Sequence, residues 1–152
     1  MSDTAHMLGN VELFADVPLE IREEMVGRGS NRSLPAGATI VTQGQADAGL
    51  QMITEGEAHV VVHGNHVRTL GAGDFFGDIS LIDGRPRSAT IVAGDAGCRT
   101  FAVSPLVFWE IVEKHQGVTR VVMKALAHRV RGAEQALSET RVELAEARGQ
   151  QA

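Results

Sequence analysis

From Ser33 to Phe101 the sequence is cut by glycine-bearing turns into β-rich runs of three to five residues. The runs are Thr39-Ile40-Val41-Thr42, Leu50-Gln51-Met52-Ile53, His59-Val60-Val61-Val62, His66-Val67-Arg68-Thr69-Leu70, Ala89-Thr90-Ile91-Val92 and Arg99-Thr100-Phe101. Between them lie Pro35-Ala36-Gly37, Gln43-Gly44, Glu55-Gly56, Gly64-Asn65, Gly71-Ala72-Gly73 and Gly94-Asp95. Strands this short cannot bury an apolar face alone, and at this regular spacing they close on one another as a sandwich, roll or barrel. Gly64-Asn65 reads as a hairpin turn. Alternation around Val61 puts Ala58, Val60 and Val62 on the inner face and His59, Val61 and His63 outside.

Helical patterns flank the β region. Leu13, Phe14, Val17, Ile21, Met25 and Val26 recur at helical spacing, with Pro18 suited to a first turn. Ser104-Pro105 announces a second helix, serine as cap and proline at the first position. It carries Phe108, Trp109, Ile111 and Val112 as core residues, and Gly117 interrupts it before a last helix from about Val118 to about Ala147. The expected organisation is a disordered segment over 1–9, a β-roll with flanking helices over 10–117, and a C-terminal helix and tail over 118–152.

Composition excludes several classes. A net charge of −5 does not suit a protein that coats nucleic acid. Cys98 is the single cysteine, so an intrachain disulfide or thiolate metal cluster cannot form. No signal peptide or membrane-length apolar run is legible, so the expectation is a cytoplasmic chain without a membrane partner. The residues after the last helix leave no room for a helix-turn-helix, and no DNA-binding domain is expected.

One stretch breaks the strand rhythm. Ile79 to Ile82 spans barely one helical turn, and Gly84 suits a left-handed stop. The first N–H groups of a turn have no intrahelical partners and, with the dipole, attract an anion. Arg87, nine residues after Asp78, can fold back to the same place with its guanidinium fork. Asp78 beside an anion site is useful if it grips a hydroxyl. An anion site, an arginine and a hydroxyl acceptor together describe a ribose phosphate.

The segment Phe76-Gly77-Asp78-Ile79-Ser80-Leu81, followed by Pro86-Arg87-Ser88-Ala89-Thr90, resembles the phosphate-binding cassette of the cyclic nucleotide-binding domain family. That family's pattern is Phe-Gly-Glu-Leu-Ala-Leu, a short loop, then Pro-Arg-(Ala/Ser/Thr)-Ala-Thr. The likeness extends from about Leu13 to Arg131, with Gly37, Gly44 and Gly56 at the turn glycines. It implies a mainly β fold with flanking helices: an eight-stranded, jelly-roll-like β-roll with an N-terminal helix, a short cassette helix and two C-terminal helices. It also implies cAMP before cGMP as ligand, in a regulatory sensor that is not an enzyme, needs no cofactor and signals by moving its C-terminal helices. Arg87 would pair with the cyclic phosphate, helped by amides near Ser80 and Ser88. Asp78 would accept the ribose 2′-hydroxyl, Gly77 would let the backbone approach the sugar, and Val60 and Val62 would touch the base. Phe76, Ile79 and Ala89 complete the expected ligand contacts.

Asp78 is a methylene shorter than the family's glutamate, and partial loss of a charged hydrogen bond weakens binding roughly tenfold. The Ser88 hydroxyl can reach a guanine amino group but also occurs in members that prefer cAMP. The family's lid residue, often aromatic, has no aromatic counterpart after Trp109. Leu126 or Val130, or Arg129 or Arg131 stacking on the purine, are the lid candidates. In the last helix Met123, Val130, Leu137 and Leu144 recur every seven residues, with Arg129 and Glu134, and Glu143 and Arg148, as flanking pairs. This pattern suggests a homodimer through that helix, beside an unidentified effector protein.

Two alternatives stand beside the sensor. One is a degenerate, non-binding member of the fold that serves protein interaction, with Asp78 as the trace of lost binding; taken alone, Asp78 also reads as a cap of the short turn. The other is a cupin-like metalloenzyme, prompted by His59, His63 and His66; the His-x-His pair and following Glu of cupins are absent, and two of these histidines lie on the expected outer face. Gly71-Ala72-Gly73 lacks the third glycine of a dinucleotide fingerprint, since Phe76 stands there.

Overall fold

The computed structural model describes residues 2–45 and 49–151. Met1 and Ala152, which the sequence boundaries include, lie outside the described residues. The chain runs α1 (Ser2–Leu8), a 3-10 turn (Glu12–Phe14), α2 (Leu19–Arg28), β1 (Ser30–Leu34), β2 (Thr39–Val41), β3 (Leu50–Val62), β4 (Asn65–Leu70) and β5 (Phe75–Phe76). It continues through α3 (Asp78–Asp83), β6 (Thr90–Val103), α4 (Pro105–Lys114) and α5 (Gln116–Gln151).

The sheet is antiparallel, in the order β1-β6-β3-β4, with β2 on β6 and β5 on β3. Among the described residues six strands stand where eight are expected. Each of the two central strands runs through what the sequence divides into two: β3 joins the Leu50 and His59 runs, and β6 joins the Ala89 and Arg99 runs. Both bend at glycine. Gly56 and Gly97 hold φ of 82° and 75°, and the β3–β6 register shifts beside Gly56. A bend of this kind curls the sheet without breaking its ladder. The tight turn after β3 is made by His63 and Gly64, at φ 50° and 81°, one residue earlier than the Gly64-Asn65 pair suggests.

Residues 2–8 are helical, which corrects the expected disorder over 1–9. Ala5 and Leu8 are fully buried, and the Arg22 guanidinium donates to the carbonyl of Ala5 at 2.8 Å, which ties α1 to α2. The signal in so short a segment is tertiary, since a seven-residue helix has little stability of its own. α4 begins as expected, with the Ser104 hydroxyl accepting from the Val107 amide at 3.2 Å and Pro105 in the first turn. Trp109 is a correction: it is 41% exposed and meets Phe108 edge-on, because Phe108, Ile111 and Val112 already define the buried stripe of α4. The last helix starts at Gln116, so Gly117 lies inside its first turn.

Among the described residues the buried apolar side chains form two cores. Leu8, Phe14, Met25, Leu50, Phe101, Phe108 and Ile111 join the helices to one end of the sheet. Ile40, Val41, Ile53, Ala58, Leu70, Ile91 and Ala93 fill the inside of the roll, with Val60 and Phe76 packed on them. The second core forms the floor of the functional site.

Candidate ligand-binding site

The local fold of residues 73–90 follows from glycine placement. Gly77 holds φ 84° before α3 and Gly84 holds φ 68° after it, so a single turn of helix is framed by two left-handed residues. A Cβ on Gly77 would fall 2.0 Å from Arg87 Nη1 and 2.1 Å from the Gly49 carbonyl oxygen. Only glycine lets the α3 entrance lie against the Arg87 guanidinium. The Arg87 main chain is held from the other side: the Gly44 amide donates to its carbonyl at 2.8 Å, and its own amide donates to the Gln45 carbonyl at 2.9 Å. Its guanidinium donates to the Gly49 carbonyl at 2.6 Å and stands 5.9 Å from the centre of the Phe76 ring. Three segments thus fix one arginine, which is 7% exposed.

Asp78 is 6% exposed, and its carboxylate accepts a hydrogen bond from Arg129 of α5. Burial of a carboxylate is costly unless it is paired, and Arg129 supplies the pair across 51 residues of sequence. Asp74, also at the site, uses its carboxylate to hold the turn before it, accepting from the Gly71 amide at 2.8 Å.

These groups surround a cavity of about 650 Å³, within the range of about 300–1,000 Å³ common for small-molecule sites. Every expected ligand contact lines it: Val60 and Val62 from β3, Phe76 from β5, Gly77 before α3, Asp78, Ile79 and Ser80 from α3, and Arg87, Ser88 and Ala89 ahead of β6. Of the four lid candidates the structure brings only Arg129 to the cavity. Leu126 packs on the helical core, and Val130 and Arg131 face away, exposed, because α5 turns them to its solvent side. Within the chain Arg129 is engaged by Asp78.

Sequence reasoning missed several lining residues, chiefly Val67 and Arg68 of β4 and Asp74. The signal was present in the alternation, since Arg68 pairs with Val60 and Leu70 with Ala58 across the β3–β4 ladder. Among the described residues no three His, Cys, Asp or Glu side chains converge to hold a metal ion, and no helix is long and apolar enough to cross a membrane.

Known proteins agree with this geometry. Residues 31–115 match the family model of the cyclic nucleotide-binding domain. A cyclic nucleotide-gated potassium channel from Rhizobium etli is 38% identical over 87 residues, covering 57% of this chain and 24% of the channel. A cGMP-dependent protein kinase from Toxoplasma gondii is 32% identical over 78 residues, covering 51% of this chain and 8% of the kinase. The chain thus spans at most a quarter of either relative. In fold it is similar to the N-terminal domain of a transcriptional regulator from Streptomyces coelicolor, with a TM-score of 0.76 at 24% identity, over 82% of this chain and 92% of that one. The cassette, the roll and the family match coincide, and the chain belongs to the cyclic nucleotide-binding domain family.

Proposed function

We propose that the cavity binds a 3′,5′-cyclic purine nucleotide, cAMP or cGMP, and that the chain is a cytoplasmic regulatory module without chemistry of its own. The observation that carries this reading is Arg87, a buried cation fixed against Gly77 in the wall of a nucleotide-sized cavity. Its fork would take the cyclic phosphate, with the first amides of α3, around Ser80, turned to the same anion. Asp78 would accept the ribose 2′-hydroxyl, and Val60 and Val62 would lie under the base.

Signalling would run through α5. The Asp78–Arg129 pair ties the cavity to this helix, and a ribose hydroxyl on Asp78 competes for the carboxylate that Arg129 holds. Ligand would then shift α5 between two arrangements. Beyond Val130 every described side chain of α5 is exposed, so the helix projects from the domain. An isolated projecting helix is marginal, and Met123, Val130, Leu137 and Leu144, each at least half exposed, form a heptad stripe that a second copy of the chain would cover. Analytical ultracentrifugation of the chain and of a truncation after Arg131 tests this, and equal monomer masses would remove the dimer.

Calorimetric titration with cAMP and cGMP tests the binding itself. The expected result is micromolar or tighter binding, weakened by about 100-fold or more in Arg87→Ala, since two charged hydrogen bonds of about 1.5–3 kcal/mol each are lost. No heat at millimolar nucleotide would favour the degenerate interaction module instead.

A further inference from the structure

We propose that a second, smaller cavity behind Arg87 binds a free oxyanion of the size of phosphate, and that this anion antagonises the nucleotide through the guanidinium the two cavities share. The oxyanion site stands without the cyclic-nucleotide reading; the antagonism rests on it. The cavity measures about 250 Å³, below the range of about 300–1,000 Å³ common for organic ligands, so it suits a small ion and not a second nucleotide. The end of α2, β1, the start of β3, the end of β6 and the cap of α4 meet around it.

Its wall follows from the strand register. Ser30, Ala102 and Gln51 lie side by side across β1, β6 and β3, so they share one face, and Arg32 comes two places after Ser30 on that face. Phe76 of β5 stands next in the row, opposite Gln51, and belongs to the nucleotide cavity. Arg87 lines both cavities and forms the partition between them.

The side chains available in the small cavity are donors. Gln51 is 4% exposed, and its amide oxygen accepts from Thr100 Oγ1 at 3.0 Å and from Arg32 Nη1 at 3.3 Å. That fixes the orientation of the amide and leaves its nitrogen without a hydrogen bond among the described residues. A buried donor left unmade is costly, and an acceptor on a ligand would satisfy it. The Ser104 oxygen accepts from the Val107 amide, which keeps its O–H to donate. Arg28 is balanced by Glu110, whereas Arg32 ion-pairs with no carboxylate among the described residues. No Asp or Glu among the described residues lines the cavity, while three arginines do. An anion with acceptors on every side fits such a set of donors.

An anion in either cavity draws on the one guanidinium between them, and two anions on its two sides repel. Nucleotide and oxyanion should therefore bind together, each weakening the other by the same factor.

Melting curves of the full chain in about 10 mM phosphate, against chloride at equal ionic strength, test the site. The wild type should melt roughly 3 °C higher in phosphate. Arg32→Ala and Gln51→Glu, with folding checked in chloride, should both lose that gain, the first by removing a cation and the second by replacing a donor with a carboxylate oxygen. Equal melting temperatures in the two salts, or a gain that survives in Arg32→Ala, would overturn the site. Calorimetric titration with cAMP and cGMP at rising phosphate tests the antagonism: the nucleotide Kd should climb about fivefold and level off, and stay flat in Arg32→Ala. A climb without limit would put phosphate on the cassette in direct competition, and that result, or no climb, overturns the antagonism. A chain that binds neither nucleotide but keeps the Arg32-dependent gain in phosphate removes the cyclic-nucleotide reading and supports the oxyanion site.

Discussion

At one end of the cavity Asp78 and Arg87 are 6% and 7% exposed, and a single added methyl on Gly77 would collide with both a guanidinium and a carbonyl. At the other end Val67 is 60% exposed, and Arg68 and Arg129 approach from elements distant in sequence. The closed end is built within one stretch, residues 76–89, braced by Gly44, Gln45 and Gly49. The open end is assembled from β4 and α5. In the proposed reading, the groups that would bind what all cyclic nucleotides share are held by backbone and ion-pair partners, whereas Val67 and Arg68, toward the base, are exposed. A rigid end supplies affinity through preorganisation, and an adjustable end supplies selectivity and response.

The sharpest way to break this contrast is Gly77→Ala. Its Cβ has no space and its φ of 84° is a strained one for alanine, so the α3 entrance must shift away from Arg87. Titration should show a loss of nucleotide affinity of about 100-fold or more, a change large enough to need both the phosphate and the sugar contacts. Near-normal affinity would mean that the closed end is not rigid.

Asp78→Asn keeps the shape but removes the charge that holds Arg129 and, in the proposed reading, would face a ribose hydroxyl. Affinity should fall about tenfold, in keeping with one weakened charged hydrogen bond. The 2′-deoxy cyclic nucleotide should show almost no further loss in this variant, which isolates the hydroxyl contact.

Arg129→Ala probes the open end. Arg129 is partly exposed and Asp78 buried, and Arg129 competes with a ribose hydroxyl for the carboxylate, so its removal should raise affinity, by about threefold. The larger change should be in α5, whose amide hydrogen exchange should cease to depend on ligand. A loss of affinity comparable with that of Gly77→Ala would erase the distinction between the two ends.

The smallest effect lies outside the cavity and serves as its control. Glu24 of α2 accepts from Lys114 Nζ at 2.6 Å and lies 3.1 Å from His115 Nε2, joining α2 to the end of α4. The Lys114 hydrogen bond, opposed by partial burial and aided by His115, holds the Glu24 carboxyl below its ordinary range. A depressed folded-state value means that the contribution to stability is present above the ordinary carboxylate range and is lost as pH falls through the depressed value. Glu24→Gln should lower the melting temperature by roughly 2 °C at neutral pH. The difference should shrink in strong acid, and nucleotide affinity should not change.

The same division separates what the sequence makes legible from what it does not. The cassette can be read because its structure is local: Gly77, Gly84, Asp78 and Arg87 specify a framed turn and a returning arginine within a dozen residues. The roll can be read because alternation and turn glycines repeat. The lid could not be chosen among Leu126, Arg129, Val130 and Arg131, because the choice depends on how α5 is rotated against α3, a packing property with no periodic signature. Arg68 escaped for a different reason. Its inward direction follows from the β3–β4 register, and two-residue hairpin registers are fixed by which residues take positive φ, here His63 and Gly64. The order of residues 2–8 was hidden because Ala5 and Leu8 gain stability only against a core formed elsewhere.

The most direct test is a crystal structure of the chain grown with saturating cyclic nucleotide. The account predicts the phosphate oxygens on the Arg87 guanidinium, the ribose hydroxyl at Asp78 and the base over Val60 and Val62. A nucleotide seated elsewhere, or a phosphate held without Arg87, would contradict it.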